Sequence, residues 1–104
     1  MTNIVRIRIA PSRSKALEII RESMSSNKLG WTYHAAFEKM ALVDITSPQA
    51  LGVLAEAEIS DGPNWSEEHD DWVCVLKKHV AGRLVSVVVG IDEETADVTV
   101  ITVF

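Results

Sequence analysis

Residues 72–91, WVCVLKKHVAGRLVSVVVGI, and residues 98–103, VTVITV, decide the fold of this chain. β-Branched residues dominate both stretches, and the short connections at residues 81–82 and 92–96 have the composition of turns. Consecutive strands joined so closely must run antiparallel, because a parallel return needs a crossover of about a dozen residues or more. The sequence therefore predicts a three-stranded antiparallel β-meander over Trp72–Val80, Arg83–Ile91 and Val98–Val103.

Two of three predicted helices before the meander have clear start signals. Pro11-Ser12 opens the first helix, and apolar residues recur at helical spacing from Leu17 to Met24. Ser47-Pro48 opens the last helix, because the serine oxygen accepts an unpaired N–H and proline has none to leave unpaired. The expected buried face of that last helix is Leu51, Leu54 and Ala55.

The middle helix is predicted to open at Thr32 and to end near Ala41. The Thr32 hydroxyl can cap the first turn of this helix. Tyr33, Phe37 and Met40 recur at steps of four and three, which is the spacing of an apolar stripe. We therefore expect these three side chains to face the core.

The remaining segments complete a single α+β domain over residues 1–104. Asn3–Ile9 alternates apolar with polar or basic residues, which predicts a half-buried strand. Residues 60–64, SDGPN, have the composition of a loop, and Glu67–Asp71 extends it as a solvated acidic stretch. The predicted order is β-α-α-α-β-β-β, with an N-terminal strand and helix over residues 1–30 and the rest over residues 31–104.

Charge is distributed unevenly along the chain. Residues 1–39 contain seven Lys or Arg and three Asp or Glu, whereas residues 40–76 contain eight Asp or Glu and no Lys or Arg. The acidic middle repels a polyanion, so general affinity for nucleic acid is not favoured. It suits a basic protein partner better.

Cys74 and the N-terminus indicate a cytoplasmic location. Cys74 is the single cysteine and lies in an apolar run, where a buried and inert thiol in a reducing compartment is expected. The first residues lack the unbroken apolar stretch of a signal peptide or membrane span. We therefore expect no membrane partner.

Metal and cofactor motifs are absent from the sequence. Glu67–Asp71 contains suitable ligand types, but neighbouring residues point to different sides and no spaced partners complete a site. The chain has no Gly-rich phosphate loop, no paired-cysteine pattern and no Gly-x-Ser-x-Gly turn. We expect neither a metal nor a cofactor.

Three residues are candidates for chemistry. His34 is expected at the margin of the middle helix's apolar stripe, where an imidazole can act as a general base and Glu38 can orient it; it can equally be a histidine that only forms hydrogen bonds. Arg83 and Thr102 are expected on neighbouring strands, with Thr102 on the same side as Val98, Val100 and Phe104. Together they can hold a phosphate, or they can be an ordinary hairpin arginine and strand threonine.

From Trp31 to Phe104 the order of features resembles a widespread bacterial family of small domains of unknown function, related to RelE-like and barnase–EndoU–colicin toxin domains. The motifs that carry the resemblance are Tyr33-His34, Lys39-Met40, Ile45-Thr46, Ala57-Glu58-Ile59, Gly82-Arg83, Val87-Val88-Val89 and Val100-Ile101-Thr102-Val103-Phe104. The resemblance implies a RelE/EndoU-like region over residues 31–104.

The resemblance also implies that His34, Lys39 and Thr102 stand at the family's conserved histidine, basic residue and threonine. Lys39 replaces the usual arginine and Phe104 the usual tyrosine, and losing the guanidinium fork weakens phosphate capture. In an α-helix Lys39 would lie about 140° around the axis from His34, so the two would not face one groove.

Two functions remain open. The first is a toxin-type, metal-independent ribonuclease, in which His34 removes the 2′-hydroxyl proton of RNA while Arg83 and Thr102 stabilise the charged phosphate. Lys39 is a further candidate catalytic residue through the resemblance alone. The second is a non-catalytic protein-interaction domain, either a homodimer or a toxin-neutralising partner, that uses its acidic central surface. Trp65 or Trp72 would serve as exposed anchors on that surface.

Overall fold

The predicted meander forms the centre of a five-stranded mixed sheet. A computed structural model describes residues 7–104 of the chain. Its elements are, in chain order, α1 (Arg13–Ser25), β1 (Gly30–Trp31), a π-helical segment (His34–Lys39) continuous with α2 (Met40–Val43), α3 (Ser47–Glu56), β2 (Ile59–Ser66), β3 (Asp71–Val80), β4 (Arg83–Ile91) and β5 (Val98–Val103). The strand order across the sheet is β1-β5-β4-β3-β2.

The α+β class and the three strands of the meander are confirmed. β3 pairs antiparallel with β4, and β4 pairs antiparallel with β5. The predicted element order is only partly right, because two further strands extend the meander. The two-residue β1 pairs parallel with β5, and β2 pairs antiparallel with β3.

The prediction of a loop over residues 60–64 is wrong, because these residues lie within β2. Gly and Pro are disfavoured inside a sheet, but they are tolerated on an edge strand and at bulges. β2 is such an edge, and its pairing with β3 shifts register on both sides of Asp61. The pairing also accommodates Gly62 at φ +89°, a conformation that favours glycine. The acidic turn is therefore confined to residues 67–70.

The strand predicted over Asn3–Ile9 lies largely outside the described residues. Over its last three residues the structure shows no strand, and Ile7 and Ile9 are 80% and 83% exposed. An alternating pattern predicts a strand only where a neighbouring strand can supply hydrogen bonds, and residues 7–9 pair with no strand of the described chain.

The first helix begins as predicted, and the last helix begins one residue earlier than predicted. Ser12 caps α1 by accepting a hydrogen bond from the Lys15 N–H. The N-cap of α3 is Thr46 rather than Ser47, because Thr46 and Gln49 form a reciprocal capping box. The buried face of α3 also differs from the predicted one, and it consists of Ala50, Val53 and Leu54.

α1 and α3 pack on one face of the sheet and form the core with it. The sheet contributes alternate residues of β3 and β4, which are Trp72, Cys74, Leu76, Val85, Val87, Val89 and Ile91. Ile20 and Leu54 meet them from the helices, and both side chains are fully buried. The buried thiol predicted at Cys74 is confirmed. Within residues 7–104 no helix is long and apolar enough to cross a membrane.

The two tryptophans proposed as exposed anchors belong to the core region. Trp72 is only 6% exposed, and Trp65 packs edge-on against it with ring centroids 5.3 Å apart. The Trp65 indole N–H donates to the Glu67 carboxylate at 3.1 Å. The two residues face each other across the β2–β3 pair, which turns both rings toward α1 and away from solvent.

Candidate functional site

The middle helical segment winds as a π-helix, and this decides which of its residues are buried. The Met40 N–H bonds to the Ala35 carbonyl, five residues earlier. In π winding, residues five apart stack as residues four apart do in an α-helix. Ala35 and Met40 therefore share the buried side, with 0% and 8% exposure.

The aromatic stripe predicted for this segment is wrong in its orientation. Tyr33 and Phe37 are each 69% exposed, and their rings lie against one another with centroids 4.9 Å apart. Spacing of four and three points toward the core only in α winding, whereas the π turn rotates both aromatics outward. The chain thus presents an aromatic pair to solvent beside His34.

His34 and Glu38 form a side-chain pair on the exposed side of the π-helical segment. Imidazole Nδ1 lies 3.4 Å from Glu38 Oε2, and the two side chains are 54% and 59% exposed. If Nδ1 donates to the carboxylate, Nε2 remains free to accept a proton. Lys39 follows His34 by five residues, so π winding brings it nearer to the histidine's side than an α-helix would.

Arg83 holds the end of α2. Its guanidinium donates to the Val43 carbonyl at 2.6 Å and to the Asp44 carbonyl. The last carbonyls of a helix lack intrahelical partners and carry partial negative charge. The left-handed conformation of Asp44, with φ 57°, ends α2 and aims these carbonyls at Arg83.

Thr102 lies on the opposite side of the sheet from Arg83. Val88 pairs with Thr102 and Val89 with Val100, so Ile101 is an extra residue in β5. Such a bulge reverses the alternation of side chains beyond it. The expected side of Thr102 is therefore wrong with respect to Val98 and Val100, and it is right with respect to Phe104. Thr102 sits beside Val88 on the open side, whereas Arg83 lies on the same side as the buried Val85 and Val87.

The structure groups the four predicted site residues only in part. His34 and Lys39 share one helical segment, but no hydrogen bond or ion pair within residues 7–104 links them to Arg83 or Thr102. His34 opens the segment and Arg83 binds beyond its far end, so about 10 Å of helix separates them. Within the same residues, no group of three or more potential metal ligands is gathered.

A second candidate surface is the face of the sheet opposite α1 and α3, here called the open face. Its side chains alternate with the buried ones along each strand. They are Asp71, Val73, Val75, Lys77, His79, Leu84, Ser86, Val88, Thr99, Thr102 and Phe104, together with Asn64 and Ser66 of the edge strand β2. Leu84 and Phe104 are 50% and 52% exposed, and the three valines are half-buried. No helix among the described residues therefore covers this face.

The open face has opposite charges at its two ends. Along β3 it begins with Asp71, continues with two valines and ends with Lys77 and His79. Lys78 points to the other face and pairs with Glu56, whereas Lys77 and His79 form no ion pair within residues 7–104. The acidic and basic ends lie about 20 Å apart, at the rise of an extended strand.

Asp71 is an unfavourably placed carboxylate. Burial raises its pKa above the ordinary aspartate value, the negative charges of Asp92 and Asp70 raise it further, and the nearby His69 partly offsets these effects. Its side chain lies over Gly90 on the neighbouring strand, where an added Cβ would come within 2.5 Å of Oδ2. No lysine or arginine within residues 7–104 forms an ion pair with it. A cation from another molecule would therefore stabilise its charged form.

The sequence also contains a signal for this surface. Residues 85–89, VSVVV, form an almost continuous apolar run rather than a strict alternation. Such runs are typical of strands covered on both faces, whereas a solvated face carries polar residues at every second position. The signal becomes specific only when the register shows which face the helices leave open.

Comparison with known proteins places this chain in a family. No curated protein and no solved structure matches it. A model of one protein family, described as a domain of unknown function (DUF4258), matches residues 31–104. The match covers the segment from β1 through β5, including the π-helical segment, the Arg83 contact and the open face. It assigns no activity, so the likeness to RelE/EndoU-type toxins stays a prediction. The chain belongs to the DUF4258 family of domains of unknown function.

Proposed function

We propose that this chain is a cytoplasmic, non-catalytic protein-interaction domain that binds a protein through its open face. One observation carries this proposal: Val73, Val75 and Val88 face outward from the central strands. A solvated antiparallel sheet carries polar residues at such positions. Val75 and Val88 lie side by side at the centre, and Leu84 and Phe104 extend the apolar area. Exposed apolar surfaces of this kind mark interaction sites.

The charges of the open face define the chemistry of the partner. A cation opposite Asp71 and a carboxylate opposite Lys77 would complement the charges of this face. Between these groups the partner must present an apolar surface against the valines. A nucleic acid has no such surface, and the carboxylate of Asp71 would repel its phosphates.

Site-specific cross-linking in living cells tests this function. A photoreactive phenylalanine derivative replaces Leu84 or Phe104 on the open face, and Ala55 on the exposed side of α3 as the matched control. We expect one discrete protein adduct from both open-face positions and none from position 55. The adduct should disappear in a Val88→Lys background that remains folded by circular dichroism. No adduct from the open face, or the same adduct from the control position, would contradict the proposal.

A second function is favoured by the His34–Glu38 pair and its exposed aromatic neighbours. Glu38 can hold Nδ1 so that Nε2 accepts the 2′-hydroxyl proton of RNA, with Lys39 supplying positive charge. Tyr33 and Phe37 can stack on unpaired bases. Arg83 and Thr102 take no part in this version, because Arg83 is bound to α2 and Thr102 lies on the other side of the sheet from it.

Labelled single-stranded RNA in EDTA-containing buffer tests this second function. We expect cleavage by the wild-type protein, loss of cleavage in His34→Ala, and retention in His69→Ala, which removes an imidazole from the turn between β2 and β3. Equal activity of wild type and His34→Ala would assign the cleavage to a contaminant. Inactivity of all three proteins would end the ribonuclease hypothesis.

A further inference from the structure

We infer that the protein partner of the open face is a second copy of this chain, packed face to face with its β3 antiparallel to the first. The inference rests on the proposed interaction function and names its partner. It is carried by the order of charges along β3, which is acidic, apolar and then basic.

This order makes the open face complementary to itself. A two-fold axis that lies in the interface, perpendicular to β3 and level with its centre, brings the acidic end of each copy to the basic end of the other. Asp71 then faces the partner subunit's Lys77, and Lys77 faces the partner subunit's Asp71. Because Val73 and Val75 lie between these charges, the same rotation packs them against the equivalent valines of the second copy.

The arrangement supplies ion-pair partners that Asp71 and Lys77 do not have within residues 7–104. Lys77 gains a carboxylate, and Asp71 gains a cation that offsets the charges of Asp92 and Asp70. A parallel arrangement of the two β3 strands would instead set Asp71 against Asp71 and Lys77 against Lys77. Like charges across an interface are unfavourable, so the charge order selects the antiparallel arrangement.

The open face is also large enough for a specific contact. Strands of nine or ten residues are about 30 Å long, and four strands span roughly 15–20 Å. Packing two such faces removes on the order of 1,000 Å² from solvent, which is the lower limit of a specific interface. Sheets packed in this way have their strands roughly 30° apart.

Pairing through the sheet edges offers a poorer route to the same dimer. β2 is irregular, contains Pro63 and shifts register around Asp61, features that protect an edge from strand addition. β1 at the other edge is only two residues long. The faces therefore offer a larger and more regular surface than the edges.

Sedimentation velocity on charge-reversed variants of the full chain tests the inference. We expect the wild-type protein to be a dimer. Asp71→Lys and Lys77→Asp should each weaken self-association at least about tenfold, because both ion pairs of the dimer become repulsive. An equimolar mixture of the two variants should recover the dimer, because each mixed pair is again attractive. Lys28→Asp, the same charge change in the segment after α1, is the control and should leave the dimer intact.

The outcomes separate this inference from the proposed function. A wild-type protein that stays monomeric at high micromolar concentration would overturn the second copy as partner, while an open-face adduct to a different protein would still uphold the interaction function. Unchanged dimerisation of both charge-reversed variants would overturn the antiparallel arrangement. So would an equimolar mixture of the two variants that does not recover the dimer. Circular dichroism of each variant shows that any loss of the dimer occurs in folded protein.

Discussion

The Arg83 guanidinium lies 2.6 Å from the Val43 carbonyl and ties the start of β4 to the end of α2. The contact joins residues forty positions apart and closes the unit formed by the π-helical segment and α2. A group that satisfies the last carbonyls of a helix stabilises the fold whether or not it also meets a ligand.

Replacing Arg83 should therefore destabilise the protein. We expect Arg83→Ala to lower the free energy of unfolding by about 1–2 kcal/mol, because two charge-assisted hydrogen bonds at a partly solvated site are lost. Arg83→Lys should lose about half as much, since an ammonium cannot bond both carbonyls in the same fork. Urea unfolding followed by circular dichroism measures both changes. Unaltered stability in Arg83→Ala would show that the contact contributes nothing in solution.

Thr32 connects the π-helical segment to the bulge in β5. Its hydroxyl accepts a hydrogen bond from the Ala35 N–H at 3.1 Å and donates to the Ile101 carbonyl at 2.8 Å. We expect Thr32→Val to lower the free energy of unfolding by about 1–2 kcal/mol, because the cap and a partly buried bond are both lost. Thr32→Ser keeps the hydroxyl and serves as the control in the same unfolding experiment. A Thr32→Val variant as stable as the wild type would show that the hydroxyl contributes nothing.

Cys74 should be unreactive in the folded protein. Burial raises its pKa to about 11, and the side chain is fully inaccessible to solvent. Since the thiolate is the nucleophile, we expect alkylation at pH 8 to be at least about a hundredfold slower in the folded protein than in urea-unfolded protein. Mass spectrometry of iodoacetamide-treated samples gives both rates. Rapid labelling of the folded state would show that the core opens around β3.

Asp92 should stabilise the turn before β5 in its ionised form. Hydrogen bonds from the backbone N–H groups of Thr95 and Glu94 lower its pKa. A carboxyl whose folded pKa lies below its unfolded value contributes stability above the ordinary carboxyl range, and this contribution disappears as pH falls through the folded pKa. We expect Asp92→Ala to cost less than about 1 kcal/mol at pH 7, because the group is exposed and screened.

Unfolding of wild type and Asp92→Ala at several pH values checks this sign. The difference between them should be constant from pH 7 to about 5 and should shrink toward pH 2. A difference that grows on acidification would mean that Asp92 acts through another group, such as the neighbouring carboxylate of Asp71.

Local sequence patterns predicted the structure correctly wherever a segment's own residues supply its hydrogen bonds or set its register. The three meander strands, the start of α1 at Ser12 and the burial of Cys74 all follow from spacing, capping chemistry and apolar runs. Tyr33 and Phe37 illustrate the limit of this reasoning. The same spacing faces the core in α winding and solvent in π winding, and the choice between the two depends on how Ala35 and Met40 pack.

The sequence by itself determined the fold class and the three central strands, because turn length and β-branched composition act over only a few residues. Only the tertiary structure decided which groups meet. The bulge at Ile101 places Thr102 on the other side of the sheet from Arg83. The Arg83 guanidinium donates its hydrogen bonds to the end of α2. The strand register places Asp71, the valines and Lys77 on one uncovered face. The physical reason is that one extra residue in a strand moves every following side chain to the other face, and strand pairing between distant segments sets that register.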